Sequence, residues 1–195
     1  KGIVDAAEKA GEEGKLSVVA VAGTDNVNAG KLFAKKKDDG GDDKDAGKAA
    51  AAVSAVSGEQ ILKAIVEAAK GDGKAVAAVE DVKDAKNPIE AAIGSKDEKA
   101  AGAFTDNGMK KDDQIAAAIV LRGMAKDGEF ALKKDDHGDH EKTVKNVVES
   151  AVNKTATALT NLIRKAVQSG LKKVGEVVKS GSGIPATVTT PSEKK

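Results

Sequence analysis

The chain has 195 residues, and its 32 basic and 31 acidic side chains leave a net charge of +1, too little to draw in nucleic acid or an acidic membrane as a whole. Leu, Ile, Val and Phe make up only 41 residues against 35 Ala, and with no Trp, no Tyr and three Phe there are no aromatic platforms on which bases could stack. The absence of Cys excludes disulfides, thiolate nucleophiles and thiolate metal sites.

Taken in chain order, Ile3, Val4, Ala7 and Ala10 share one helix face, which stops at Gly11 and Gly14. The apolar stretch LSVVAVAG at 16–23 is read as helix, because a lone strand would have no partner. Residues 46–56 are rich in Ala, which loses no side-chain entropy in a helix. Ser57 then stands as an N-cap, Gln60 completes a capping box, and Val56 can staple to Ile61. The following helix carries Ile61, Ile65 and Ala68 on one face, pairs Glu59 with Lys63, and ends at Gly71 and Gly73. Asn87, Pro88 and Glu90 form a second start signal, closed by Gly94. Residues 115–121 are apolar on every side, so their helix belongs inside the protein, with Asp112 and Asp113 at its positive end. The longest element spans 141–179, where Val144, Val147, Ala151, Ala158, Leu162 and Val167 recur at three-four spacing; it would reach about 58 Å, with a kink expected at Gly170 or Gly175. A Lys-x-Ile-Val-acidic-Ala-Ala echo at Lys1 and Lys63 suggests a duplicated helical module rather than an array.

These elements give an all-α chain: an elongated helical bundle with a loop-rich distal end, a long C-terminal helix and little or no β-sheet. Residues 1–180 form one helical domain, divided into 1–140 and a C-terminal framework at 141–180. Residues 181–195 read as a flexible tail. No apolar run exceeds seven residues, too few to span a bilayer. The opening Lys1-Gly2 reads as an excised or partial product.

Sites of chemistry are scarce. His137 and His140 stand among Asp135, Asp136 and Asp139, but they miss metalloprotease spacing and lack an apolar shell, so the segment reads as a solvated loop. The acidic run at 38–45 lacks the ligand alternation, the Gly and the terminal Glu of a calcium loop. Gly71 to Lys74 lacks the spacing and hydroxyl of a phosphate loop, and no Ser has a His placed to activate it. The sequon at Asn153 falls inside a helix. No enzyme, metal or cofactor is expected.

The block MKKDDQIAAAIVLRGMAKDGEFALK at 109–133 resembles the sixth invariable region of the Vmp-like variable surface lipoproteins of Lyme-disease spirochaetes, relatives of the variable large proteins of relapsing-fever spirochaetes. AGKLF at 29–33, AAVSAVSGEQIL at 51–62, AKNPI with AAIG at 85–94, and ALTNLIRKAVQSGLKKVGEVVK at 158–179 extend the resemblance in order along the chain. It implies a cassette region at 1–140 followed by the C-terminal segment, without the family's lipid-carrying N-terminal Cys. It further implies a surface-exposed antigen of the outer membrane, anchored by that lipid, that evades host antibodies through antigenic variation. Six variable regions would fall near 8–28, 35–48, 70–83, 95–102, 103–107 and 134–143. Exposed loop positions would then include Lys36, Asp38, Asp42, Asp72, Lys74, Lys96, Asp97, His137 and His140. Ile115, Ile119, Leu121 and Met124 would lie on a buried, constant helix. The expected partners are host antibodies and outer-membrane lipid, with no nucleic acid, and self-association into a homo-oligomer stays open. An adhesin or host-ligand binder is the alternative, marked by a pocket or a large exposed apolar patch. Lipid-surface binding is disfavoured by the near-balanced charge of the long helix and the scarcity of aromatics.

Overall fold

Reciprocal capping decides where two of the helices begin. The computed structural model describes residues 23–35, 40–70, 77–95, 102–105, 108–133 and 137–181, together with isolated positions among the first 22. Helix α1 is Asp43–Ala55, capped by Asp42, whose carboxylate accepts from the Asp45 N–H at 3.0 Å while the Asp45 carboxylate accepts from the Asp42 N–H at 3.0 Å. It starts three residues before the expected Ala46. Helix α2 is Gly58–Ala69, and its capping box is the expected one: Ser57 Oγ accepts from Gln60 N–H at 3.2 Å and Gln60 Oε1 from Ser57 N–H at 2.7 Å. Val56 and Ile61 are both buried in the core, as the staple requires. Lys63 pairs with Glu67 one turn on, and Glu59 reaches Lys165 of the long helix, where the sequence had suggested Glu59 with Lys63.

Helix α3 is the short Pro88–Ile93, with Asn87 Oδ1 accepting from the N–H groups of both Ile89 and Glu90 at 3.0 Å. It closes at Gly94, whose φ of 87° lies in the left-handed region that favours glycine. A Cβ there would also stand 3.1 Å from Arg122 Nη1 and from the Phe33 carbonyl oxygen. Helix α4 is Asp112–Met124, and α5 is His137–Gly181. Two 3-10 turns, Val27–Phe33 and Val82–Asp84, were not foreseen. Extended pairing among the described residues is limited to two isolated parallel bridges, Gly41 with Leu132 and Val79 with Ser95.

Helix α5 differs from expectation at both ends. It begins at His137, inside the segment read as a solvated loop, and passes through Gly170 and Gly175 without interruption. Its 45 residues correspond to about 68 Å at the usual rise per residue. Helix α5 includes Gly181, the first residue of the expected tail, and residues 182–195 lie outside the described residues, as do most of 16–23 and of the first copy of the internal echo.

Helix α4 occupies the middle, packed against α1, α2, α3, α5 and the first 3-10 turn. Ile115, Ala116, Ala117, Ala118, Ile119 and Val120 are all buried, as an all-round apolar helix must be. The connecting segments are laced to one another by main-chain bonds. Phe104 N–H donates to Val27 O, Met109 N–H to Ala85 O, Ala131 N–H to Leu32 O and Lys133 N–H to Gly41 O, all within 3.0 Å. Those bonds satisfy backbone groups that loops of this length would otherwise give to water.

Candidate functional surface

Three polar devices tie the helices and surface segments together, two of them on the central helix. At the start of α4, Asp112 is buried and its carboxylate accepts from Asn26 Nδ2 at 2.8 Å, while its N–H donates to the Gly23 carbonyl at 3.1 Å. Burial raises the pKa of the neighbouring Asp113 from its ordinary value, against the lowering effect of the Gln114 N–H on its carboxylate. At the other end, Arg122 donates from Nε to Glu129 O at 2.7 Å, from Nη1 to Phe33 O at 2.9 Å and from Nη2 to Ala34 O at 3.4 Å. Its guanidinium also faces the Phe33 and Phe130 rings, with Cζ 5.7 and 5.9 Å from their centroids. Phe33 in turn contacts Phe104 and Phe130, so all three aromatics of the chain gather around it. Burial lowers the Arg122 pKa to about 10, which leaves the group cationic at neutral pH. Lys154 of α5 is the third device: its Nζ donates to Val53 O at 2.7 Å and Val56 O at 2.9 Å, placing a cation at the negative end of α1.

Beside these, Asp45 is buried with Lys31 Nζ 3.1 Å from both of its oxygens. These groups serve as structural ties rather than reactive ones. Among the described residues no group of three or more His, Asp and Glu could hold a metal ion. An open groove of about 610 Å³ runs between the end of α4 and the start of α5, with Phe130, Leu132, Val144 and Val148 as floor and Glu141 and Glu149 at the rim. No nucleophile and base meet in it.

The residues expected on exposed loops divide into two sets. Lys36, Asp38, Asp72, Lys74, Lys96, Asp97 and the side chain of His137 lie outside the described residues. Asp42 is corrected: it is a half-buried N-cap, because its carboxylate is needed by the first turn of α1. His140 is also corrected, being 4% exposed with its Nδ1 unpartnered, since α5 starts early enough to carry it on the face of Val144, Val147 and Ala151. Of the expected buried set, Ile115 and Ile119 are in the core and Leu121 is half-buried. Met124 is corrected to 69% exposed, because the last turn of α4 meets α5 on its Gly123 side, against Val148, and leaves Met124 uncovered. Sequence reasoning missed Arg122, Lys154 and Asp45 altogether. For Arg122 a signal existed, as the only charge between Asp113 and Lys126 in an otherwise apolar stretch.

Among the described residues, the longest run of exposed large apolar side chains lies elsewhere. Ile163, Val167, Leu171, Val174, Val177 and Val178, along the end of α5, are 42–69% exposed. The same helix buries Val144, Val147, Ala151, Ala158 and Leu162 in its first half.

Comparison with known proteins places this architecture. A family model described as Borrelia lipoprotein matches residues 1–178. The chain is 35% identical over 191 residues to Variable large protein 21 of Borrelia hermsii, covering 95% of this chain and 50% of that protein. It is 33% identical over 196 residues to Variable large protein 7 of the same organism, covering 99% and 50%. The chain thus spans about half the length of these relatives. In structure it is similar to the Lyme disease variable surface antigen VlsE of Borrelia burgdorferi, with a TM-score of 0.77 and 53% identity over 93% of this chain and 65% of that one. The helical fold built around a buried α4, the match along nearly the whole chain and these relatives agree: the chain belongs to the Borrelia lipoprotein family.

Proposed function

We propose that the chain is the displayed part of a variable surface antigen, whose connecting segments change to escape host antibodies while a constant helical framework keeps the fold. The 53% identity to the variable surface antigen VlsE carries this reading. The names of the Borrelia hermsii relatives point the same way. The physical basis is the position of α4. A helix in contact with α1, α2, α3 and α5 tolerates little change, whereas exposed positions in the segments between helices can change charge and shape without opening the core. In this reading the protein sits on the outer membrane through a lipid carried elsewhere in the full protein. It meets antibody rather than substrate and performs no catalysis.

The test is to recover the coding sequence from bacteria grown in immunocompetent and antibody-deficient hosts. Changes should concentrate at exposed positions of 8–28, 35–48, 70–83, 95–102, 103–107 and 134–143 only under antibody pressure, leaving 109–133 constant. Changes spread evenly over α4 and the loops, or equal in both hosts, would remove the reading. Antibodies raised against a 109–133 peptide should bind denatured protein far better than cells displaying it. Their residual binding should map to Met124 and the exposed Lys126 and Asp127.

A further inference from the structure

Residues 129–133 hold the chain on both sides of 36–39, and main-chain atoms make most of the grip. Ala131 donates its N–H to the Leu32 carbonyl at 2.9 Å and accepts from the Gly41 N–H at 3.0 Å, while the Lys133 N–H donates to the Gly41 carbonyl at 3.0 Å. Arg122 supplies the one side chain, joining the Phe33 and Ala34 carbonyls to that of Glu129. Leu32, Phe33, Ala131 and Leu132 are buried, so water competes poorly for the groups bonded here. The two glycines on the far side leave no room for a side chain. A Cβ at Gly40 would overlap the Ala131 carbonyl group, and one at Gly41 would stand 2.7 Å from Leu32 Cδ2 and 3.1 Å from Asp45 Cβ. The reciprocal cap of Asp42 and Asp45 follows directly. The resemblance assigned all of 35–48 to variation, yet these positions are fixed by packing.

We propose that Arg122 and residues 129–133 form a clasp that fixes the base of 36–39 whatever its sequence or length, so that 36–39 is an exchangeable insert while Gly40, Gly41, Asp42 and Asp45 belong to the constant frame. None of the bonds that close the base uses an atom of 36–39, so substitution there leaves the closure intact. Length enters only through closure entropy, which grows with the logarithm of the loop. Arg122 is the positioning residue: its planar fork sets the approach of 33–34 to 129, and the main-chain bonds of Ala131 and Lys133 continue from that point. The clasp lies among buried residues and requires no uncovered surface. It does not rest on antigenic variation. To that reading it adds one thing, a place where the fold absorbs changes of length as well as of charge and shape.

Insertion into the 195-residue chain tests it. An insert of about 12 Gly and Ser residues between Lys37 and Asp38 lengthens the span from Ala34 to Gly41 from 8 residues to about 20, which should lower the folding equilibrium constant only about fourfold. Amide exchange at Gly41, Ala131 and Lys133 should stay as slow as in the parent. The same insert between Leu132 and Lys133 parts the clasp and should speed exchange at Gly41 and Lys133 about tenfold or more, as should Gly40→Val. Arg122→Met carrying the 37/38 insert should show a similar acceleration at these amides relative to Ile115 and Ile119, which report the body of the protein. Fast exchange at Gly41 after the 37/38 insert alone, or a loss of about a hundredfold or more in the equilibrium constant, would overturn the proposal. So would slow exchange at Gly41 in both Gly40→Val and the 132/133 insert, by showing that other contacts hold the base. Parental exchange in Arg122→Met with the insert would overturn the role given to Arg122. A tolerated insert together with even change across α4 under antibody pressure would keep the clasp and end the antigenic reading.

Discussion

The two halves of α5 carry the same apolar spacing and meet opposite fates. Val144, Val147, Ala151, Ala158 and Leu162 are buried against α1, α2 and α4, while Val167, Leu171, Val174 and Val178 continue the rhythm into solvent. Three-four spacing shows that a helix has an apolar face, and it says nothing about whether a neighbour covers that face. The largest expected effect follows. Ile119→Ala, deep in α4, should cost roughly 2–5 kcal/mol through lost transfer energy and a residual cavity. Chemical denaturation of the parent and variant would measure it, and a cost below that of an exposed substitution would mean that α4 is not the centre of the core.

Arg122→Ala should rank next, because it strips the donors from three carbonyl oxygens and leaves two aromatic rings without their cation. A loss of about 1.5–3 kcal/mol is expected, as for hydrogen bonds made by a charged group. Arg122→Lys should recover only part of it, since one ammonium cannot span Phe33, Ala34 and Glu129 as the planar fork does. A lysine variant as stable as the parent would show that charge alone is sufficient.

Much of this architecture was legible in the sequence, and the failures have physical causes. Ser57 with Gln60 and Asn87 with Pro88 declare helix starts through local chemistry that depends on no distant neighbour. The all-round apolar run of α4 declares its burial in the same local way. The box at Asp42 and Asp45 was hidden because both caps are Asp within an acidic run that also reads as a hydrated loop. His140 stands four residues before Val144 and seven before Val147, so the helical rhythm did reach it, and the surrounding Asp residues masked it. Gly170 and Gly175 suggested a break because glycine costs about 1 kcal/mol in a helix interior, too little to interrupt one this long. Arg122 and Lys154 act on carbonyls roughly 90–100 residues away in sequence, and no local pattern encodes such partners.

The cap on α1 offers a sharper contrast with the exposed loop first expected there. Asp42→Ala should cost about 0.5–2 kcal/mol at neutral pH, and Asp42→Asn very little, because both Asp and Asn accept from the first turn. The Asp45 N–H holds the Asp42 pKa below its ordinary 3.8. The folded form therefore favours the carboxylate. That contribution is complete above about pH 4 and is lost as the pH falls through the depressed folded value. The gap between the parent and the alanine variant should thus narrow under acid conditions by the charge-dependent part of the cap, the neutral carboxyl still accepting as asparagine does. Curves that stay parallel below pH 4 would assign the cap energy to another group.

The smallest effects should come from the far half of α5, where even the sign changes. A Cβ at Gly58 would stand 2.0 Å from the Lys154 carbonyl oxygen, at the close approach of α2 and α5, so Gly58→Ala must move one helix and should cost about 1–3 kcal/mol. A Cβ at Gly170 would meet nothing within 4 Å. There alanine only improves helix propensity, by about 0.8–1 kcal/mol. Val174→Ala should act in the same direction by a few tenths, because an exposed β-branched side chain loses rotamer freedom without gaining contacts. Because residues 171–181 are exposed throughout, this gain belongs to local fraying and not to the cooperative body. Helical circular dichroism should rise in Gly170→Ala while the unfolding midpoint, followed by hydrogen exchange at Ile115 and Ile119, stays fixed. A midpoint that rises with helicity would show the distal turns to be coupled to the core, and the division of α5 into a packed half and a free half would then be wrong.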